Sequence, residues 1–153
     1  MTEMPIMEEI QVSIQRMPGT EDLPLPGYMT AQAAGMDLMA AVEAEVTILP
    51  GERELIPTGV RVAIPEGYEA EIRPRSGLAL HHGVTLVNTP GTIDADYRGE
   101  VGILLINHGQ APFVVRRGDR VAQMVVHRVC RVRWNACGAL IPTQRGDGGF
   151  GHT

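Results

Sequence analysis

No lysine occurs among the 153 residues: all 13 basic side chains are arginine. That absence removes any Walker-type phosphate loop and any Schiff-base chemistry, since both need the lysine amine. Any phosphate contact by a permanent cation then falls to arginine, whose guanidinium binds in bidentate fashion. Basic residues are also the minority, 13 against 18 acidic for a net charge of -5, so a nucleic-acid partner is not expected. Aromatic residues make up only 4%, which leaves a core drawn mostly from aliphatic side chains. Cys130 and Cys137 are the only cysteines; six residues separate them, no zinc-knuckle spacing, and no second pair exists. Two buried reduced thiols are expected. No run approaches the ~18 apolar residues of a membrane span, and the N-terminal MTEMPIMEEI carries acids where a secretory leader carries positive charge. A soluble, cytoplasmic protein with no membrane partner is the expectation.

The chain does contain short Val- and Ile-rich stretches, at 10–14, 44–49, 59–64, 68–72, 84–88, 101–107, 113–115 and 121–129, separated by Gly/Pro punctuation. That pattern, with no sustained 3.6-residue period, predicts an all-β, jelly-roll-like fold in one domain. Pro50-Gly51, Pro65-Glu66-Gly67 and Pro90-Gly91 read as turns. Residues 1–10 form an extension in which Met1, Met4 and Met7 have no readable role.

One stretch reads as helix. Ser76 suits an N-cap, residues 78–82 tolerate helix and Gly83 is a natural stop. Arg73 and Arg75 precede it, so two guanidiniums sit beside exposed backbone N–H groups, a combination that favours an anion. A capped connector with solvated arginines is the competing reading. His81 and His82 diverge by ~100° on a helix and read as surface residues, not a metal pair. Arg128, Arg131 and Arg133, near Trp134, read as a solvated face or a subunit contact.

The densest polar stretch is NTPGTIDADYRGE, residues 88–100. A type II turn at Pro90-Gly91 predicts a hairpin of 84–88 with 92–96, and period-2 alternation would place Asp94, Asp96 and Arg98 on one face. Two carboxylates and an arginine suit water activation near a phosphate or metal; a polar strand edge with a surface ion pair is the alternative. The end of the chain, RGDGGFGHT from Arg145, matches GxGxxG over 146–151. That fingerprint needs a preceding strand and a following helix, and neither is legible here. Without a leader, the RGD tripeptide does not read as an adhesion tag. A frayed end or a detachable lid remains.

Taken together, five segments in order resemble the trimeric dUTP pyrophosphatases (dUTPases): AGMDL at 34–38, PRSGLA at 74–79, the 88–100 stretch, GDRVAQ at 118–123 and the 145–153 tail. The likeness covers nearly everything after about Gln11. It implies a β-clip fold with one short helix, forming a homotrimer. Residues 11–143 would be the β domain and 144–153 a flexible arm that closes another subunit's site. The family reaction would be hydrolysis of dUTP to dUMP and pyrophosphate, which keeps uracil out of DNA and supplies dUMP for thymidylate synthesis.

By this resemblance Asp94 is the general base. Tyr97 stacks under the deoxyribose, while Asn88, Gly91 and Ile93 read the uracil edge. Phe150 covers the base. Phosphate contacts fall to Arg75, Ser76, Gly77, Gln123, Arg145, Gly149, Gly151, His152 and Thr153, with Asp37, Asp119 and Arg120 in support. Mg2+ would be held by the triphosphate and waters, with Asp37 near its hydration shell. His152 stands where the family usually has Ser, and Met36 where it often has an aromatic or small residue. The related dCTP deaminases, or a bifunctional deaminase–dUTPase, call for a deaminating glutamate near the hairpin. Asp94 with Tyr97 favours pyrophosphate chemistry, and Glu100 lies too far along. A regulatory binding protein on the same fold is the reading from a different class.

Overall fold

Strand alternation decides which side chains form the core. In the strand Glu100–Asn107, the side chains of Val101, Ile103, Leu105 and Asn107 are fully buried, while Gly102 and the half-buried Leu104 and Ile106 face outward. The computed structural model describes residues 7–152. Residues 1–6, with Met1 and Met4, and the expected phosphate contact Thr153 lie outside the described residues.

Among the described residues, ten strands and one helix follow in order: β1 Ser13–Arg16, β2 Met36–Met39, β3 Val46–Ile48, β4 Arg53–Ala63, β5 Tyr68–Arg73, α1 Ser76–His82, β6 Val84–Leu86, β7 Gly91–Ile93, β8 Glu100–Asn107, β9 Phe113–Val115 and β10 Arg120–Arg128. All pairings are antiparallel. One four-stranded sheet has the order β1-β4-β8-β6, the other β2-β10-β5-β7, and β3 pairs with β9 alone. The inward faces of both larger sheets feed one aliphatic core that includes Leu38, Ile56, Ile72, Ile103, Leu105 and Met124. The expected all-β class with one short helix is therefore what the chain adopts. Among the described residues, no helix is long and apolar enough to cross a membrane.

One strand and half of another carry no strand signal in the sequence. β2 is a four-residue segment interrupted by Asp37, and the first half of β4 carries Pro57. That proline sits where the β4–β8 register shifts, the kind of irregularity at which a sheet tolerates a missing N–H. Other local expectations hold: Tyr68 N donates to Pro65 O (3.1 Å) to close the Pro65–Gly67 turn, and Gly83 ends α1 at φ 67° in the left-handed region.

Three expectations need correction. The 84–88/92–96 hairpin does not form: β6 pairs with β8 and β7 with β5, so the chain crosses between sheets there. Gly91 is not at positive φ. A Cβ there would stand 3.1 Å from Asn88 Nδ2 and 3.4 Å from Ile72 Cβ, so close packing is what calls for glycine. Secondly, the N-cap of α1 is Arg75, not Ser76, and no side chain caps the helix. Thirdly, Cys130 and Cys137 are exposed, not buried, because they lie beyond the last strand. Within the described residues, no helix or strand follows Arg128, and the chain from Val129 onward is exposed.

The core contains one polar knot. Asn107 is wholly buried; its Nδ2 donates to Ile48 O (2.9 Å) and Ala111 O (2.8 Å), and its Oδ1 accepts from Gly109 N (2.8 Å). It ties the end of β8 to β3 and to the loop that leads into β9. Asn107→Ala strands the buried Ile48 carbonyl, releases the partly buried Gly109 N–H and Ala111 carbonyl, and should lower unfolding stability by about 2 kcal/mol. A denaturant midpoint unchanged from wild type would contradict this role.

Candidate active site

The strand β10 organises the candidate site because both its edges are paired. Gln123 stands opposite Asp37 on β2 and opposite Arg73 on β5. On the far side of β5, Ile72 stands opposite Gly91 on β7. Three of the five marked segments therefore meet in one sheet, and a fourth, 74–79, leaves directly from the end of β5.

Asp37 is the centre of the first cluster. Its carboxylate lies 3.3 Å from Arg75 Nε and 3.6 Å from Arg120 Nη1. Arg75 Nη1 also donates to Arg120 O (3.2 Å), and Gln123 Nε2 donates to Pro74 O (3.0 Å). Asp119 Oδ2 accepts from Arg116 N (2.8 Å), which fixes the turn from which Arg120 departs. Arg75, Asp119 and Arg120 line an open depression of about 690 Å³, shared with Arg116, His82 and Phe113. Ser76 and Gly77 form the first turn of α1. The first helical hydrogen bond is made by Ala79 N, so the N–H groups of Ser76 and Gly77 have no partner within the helix. In this cluster one carboxylate holds two guanidiniums side by side, an arrangement chemically suited to an anion.

The second cluster follows β7. Asn88 is exposed, Gly91 is packed against it, and Ile93 is buried opposite Ala70. Asp94 is exposed just after the strand ends, so Asp94, Asp96 and Arg98 lie on a turn, not on alternate positions of a strand. Tyr97 N donates to Asp94 O (3.1 Å), which closes that turn. All three do line one depression, with Glu69, Tyr68 and Arg131. The expected ion pair is not made: Arg98 Nη1 donates to the carbonyls of Ala95 (2.6 Å) and Tyr97 (3.0 Å). No hydrogen bond to the Asp94 carboxylate occurs among the described residues. Tyr97 donates from its hydroxyl to Glu100 O (2.9 Å) and leaves its ring partly exposed.

The tail stands apart. From Thr143 onward its hydrogen bonds run within the segment, Arg145 Nε to Gly148 O (2.8 Å) and His152 N to Gly149 O (3.1 Å), and Phe150 is fully exposed at φ 50°. Arg145, Gly149, Gly151 and His152 therefore touch neither cluster. The chain brings Arg75, Ser76, Gly77, Asp37, Asp119, Arg120 and Gln123 into one group, and Asn88, Gly91, Ile93, Asp94 and Tyr97 into another.

Two glycines were not singled out in the sequence as site residues. A Cβ on Gly35 would overlap Gln123 Oε1, and one on Gly99 would overlap the Tyr97 hydroxyl. Both lie inside the marked segments, yet sequence alone gives no sign of what each glycine clears. Elsewhere, His82 packs on Phe113 with ring centroids 5.2 Å apart, and Arg128 pairs with Glu8 over the Tyr68 ring. No group of three or more His, Cys, Asp or Glu poised for a metal occurs among the described residues.

A family model described as dUTPase matches residues 21–153. The chain is similar in structure to the Staphylococcus bacteriophage 80alpha dUTPase with dUpNHpp, at 22% identity and a TM-score of 0.83, over 94% of this chain and 98% of that one. It is also similar to a mutant dUTPase from phage phi11 of S. aureus, whose structure reveals the coordination of a structural Mg(II) ion. There the identity is 22% and the TM-score 0.75, over 85% of this chain and 98% of that one. At such identity these two likenesses concern the fold.

The segment leading into Arg75 is held by an outward-facing ion pair. Arg73 donates to Glu71 Oε2 from Nε (3.0 Å) and Nη2 (2.8 Å), and His127 Nε2 lies 3.3 Å from the same oxygen. The hydrogen bonds from Arg73 hold the Glu71 carboxyl below its ordinary value of 4.5. A pKa lower in the folded than in the unfolded state adds stability that is complete above that value and lost as pH falls below it. Glu71→Gln should therefore melt below wild type at neutral pH and converge with it in strong acid. Parallel melting curves across the acid range would contradict the pairing.

Proposed function

Because the chain belongs to the dUTPase family, we propose that it hydrolyses dUTP to dUMP and pyrophosphate, with Asp94 as general base, in sites assembled from three copies of the chain. The observation that carries this reading is a pair of separately formed half-sites: an arginine-lined anion depression around Asp37, and an exposed carboxylate next to a half-exposed aromatic ring. Each lies on segments characteristic of the family.

Arg98 turns to backbone carbonyls, so the Asp94 carboxylate stays available to take a proton from the water attacking the α-phosphorus. The Tyr97 ring, fixed through its hydroxyl and given room by Gly99, lies under the deoxyribose and leaves no place for a 2′-hydroxyl. Backbone groups around Asn88, Gly91 and Ile93 hold the uracil edge. Cytosine is rejected because a mismatched donor or acceptor would stay buried and unpaired. The 5-methyl of thymine is rejected by the tight backbone there.

On the phosphate side, Arg75 and the N–H groups of Ser76 and Gly77 receive the anion, and Gln123 adds a further contact. Asp37 acts through Arg75 and Arg120, and Asp119 through the turn that carries Arg120. The arm brings Arg145 to the γ-phosphate and Phe150 over the base. The backbone at Gly149 and Gly151, with His152 and Thr153, reaches phosphate oxygens and excludes bulk water. Mg2+ fits this donor set as an ion carried on the triphosphate, since the Asp37 carboxylate is already engaged by two guanidiniums. When bound, the ion neutralises phosphate charge and orients the chain for in-line attack. The enzyme acts in the cytoplasm, keeps uracil out of DNA and supplies dUMP.

Sharing of a site between copies fits Asp94 and Arg75 lining different depressions of one chain; the number three is what the family resemblance implies. Exposed apolar residues support the same arrangement: Val132, Trp134, Leu140 and Ile141 in the tail, and Leu55 with Val87 on the outer face of the β1-β4-β8-β6 sheet.

Pyrophosphate should be released from dUTP and not from dTTP, dCTP or UTP, in the presence of Mg2+. Asp94→Asn should lower kcat by a factor on the order of 10² to 10⁴ while leaving the fold intact. Undiminished turnover by the variant, or ammonia released from dCTP, would overturn the assignment. Light scattering should give three times the 16.6 kDa chain mass; a stable monomer with full activity is incompatible with shared sites.

A further inference from the structure

The hydrolysis proposed above gives the side chain of Glu100 no task, yet its carboxylate is committed. Oε1 accepts a hydrogen bond from Gly59 N (3.0 Å), 41 residues back on β4. The bond falls at a gap in the sheet. β4 and β8 pair from Arg53 opposite Ile106 to Pro57 opposite Gly102, and then only at Arg61 opposite Glu100. Pro57 has no N–H to give the ladder. Gly59 has no partner on β8 and lies at φ 73°, in the left-handed region. A Cβ on this buried glycine would press on Thr20 and Ala41, which leaves the backbone little room to seek another acceptor. Two side chains replace the missing ladder bonds: Glu100 takes the Gly59 N–H, and Thr58 Oγ1 donates to Val101 O. The start of β8 is fixed to β4 by these contacts.

From that fixed point the chain holds the tyrosine beside Asp94. The Tyr97 hydroxyl donates to Glu100 O (2.9 Å) in the space left by Gly99, where a Cβ would overlap it. Among the described residues the Tyr97 side chain makes no other hydrogen bond, and the residue is 43% exposed. The lie of the ring therefore depends on where one carbonyl oxygen stands, and that oxygen belongs to Glu100.

We propose that Glu100 is a positioning residue for sugar discrimination. Its carboxylate, held by Gly59 N, fixes the carbonyl that anchors Tyr97, and so sets how closely the ring approaches the 2′ carbon of the nucleotide. The effect on substrate choice rests on the reading that dUTP is hydrolysed with its deoxyribose over the Tyr97 ring. Glu100 itself touches no substrate. The contact requires reach and an acceptor oxygen, not charge. Glu100→Gln keeps the length of the side chain and presents an amide oxygen to Gly59 N. Glu100→Asp keeps the charge but is one methylene short of that N–H. The two variants therefore separate the geometry from the electrostatics.

The test uses the full-length protein with Glu100→Asp, Glu100→Gln, Tyr97→Phe and the double variant Glu100→Asp/Tyr97→Phe. kcat/KM is measured with Mg2+ for dUTP and, at high enzyme concentration, for UTP. Glu100→Asp should lower the preference for dUTP over UTP by about tenfold, the scale on which a reshaped pocket wall changes selectivity. Glu100→Gln should keep the wild-type preference. The double variant should lose no more than Tyr97→Phe alone, because both substitutions act through one contact. NMR spectra of protein labelled on its three tyrosines follow the ring without any nucleotide. The Tyr97 signals, assigned by their absence in Tyr97→Phe, should move in Glu100→Asp and stay in place in Glu100→Gln. An unchanged preference in Glu100→Asp, an equal loss in Glu100→Gln, or additive losses in the double variant would each overturn the proposal. Absence of dUTP turnover in the wild-type protein would instead strike the hydrolase reading, and the Tyr97 signals would still decide whether Glu100 sets the ring.

Discussion

The two-sided pairing of β10 is the constraint on which the candidate site depends. A strand bonded along only one edge would place either Asp37 or Arg73 beside Gln123. Bonded along both, β10 puts all three in one row across the sheet, and the register of β5 with β7 carries the 88–91 segment to the same end. Side-chain chemistry then locks what the backbone has aligned. Gln123 reaches across to Pro74 O because Gly35 leaves it room, and Asp37 draws Arg75 and Arg120 together. Two guanidiniums left to themselves would repel. With one half-buried carboxylate between them they stand side by side and still present N–H groups to an anion.

The same sheet sets the limit of what one chain can do. Antiparallel pairing runs β7 away from the anion cluster as it approaches Asp94, so the acid emerges beside Glu69 and Tyr68, in a depression of its own. A carboxylate placed directly among phosphate-binding arginines would be held by them and lost as a base. Separation on the chain leaves Asp94 in its own depression, with Arg98 turned to backbone carbonyls; in the proposed trimer, assembly between chains would bring the two halves together. The exposed tail belongs to the same logic. Val132, Trp134, Leu140 and Ile141 have no place to be buried on their own chain, and they lead to Arg145 and Phe150.

The elements most legible in the sequence were those with local causes. The strands at 68–72, 101–107 and 113–115 are runs of β-formers between turns, and Gly83 stops the helix because its φ is positive. The dUTPase likeness was legible because short segments carry it. What sequence could not yield was pairing. The 84–88/92–96 hairpin looked local, but β6 and β7 each found a more distant partner, β8 and β5, whose buried faces outweigh a short turn. Arg98 was expected to pair with an acid and instead clamps carbonyls, a choice made by the turn geometry at Ala95 and Tyr97. The thiols were expected to be buried as small apolar groups usually are; their position beyond the last strand decided otherwise. Gly35 and Gly99 make the same point, since only the fold reveals which side chain each one admits.

The most direct test of the account is complementation between two inactive variants. Asp94→Asn lacks the base, and Arg75→Ala lacks the phosphate contact, so neither homotrimer should turn over dUTP. If each site takes its base from one chain and its phosphate contact from another, unfolding the two variants together and refolding them as mixed trimers restores sites in which both residues are intact. The account predicts measurable dUTP turnover from the mixture and none from either variant refolded alone. A mixture of verified mixed trimers that stays inactive would contradict it, and would place Asp94 and Arg75 in the service of the same chain.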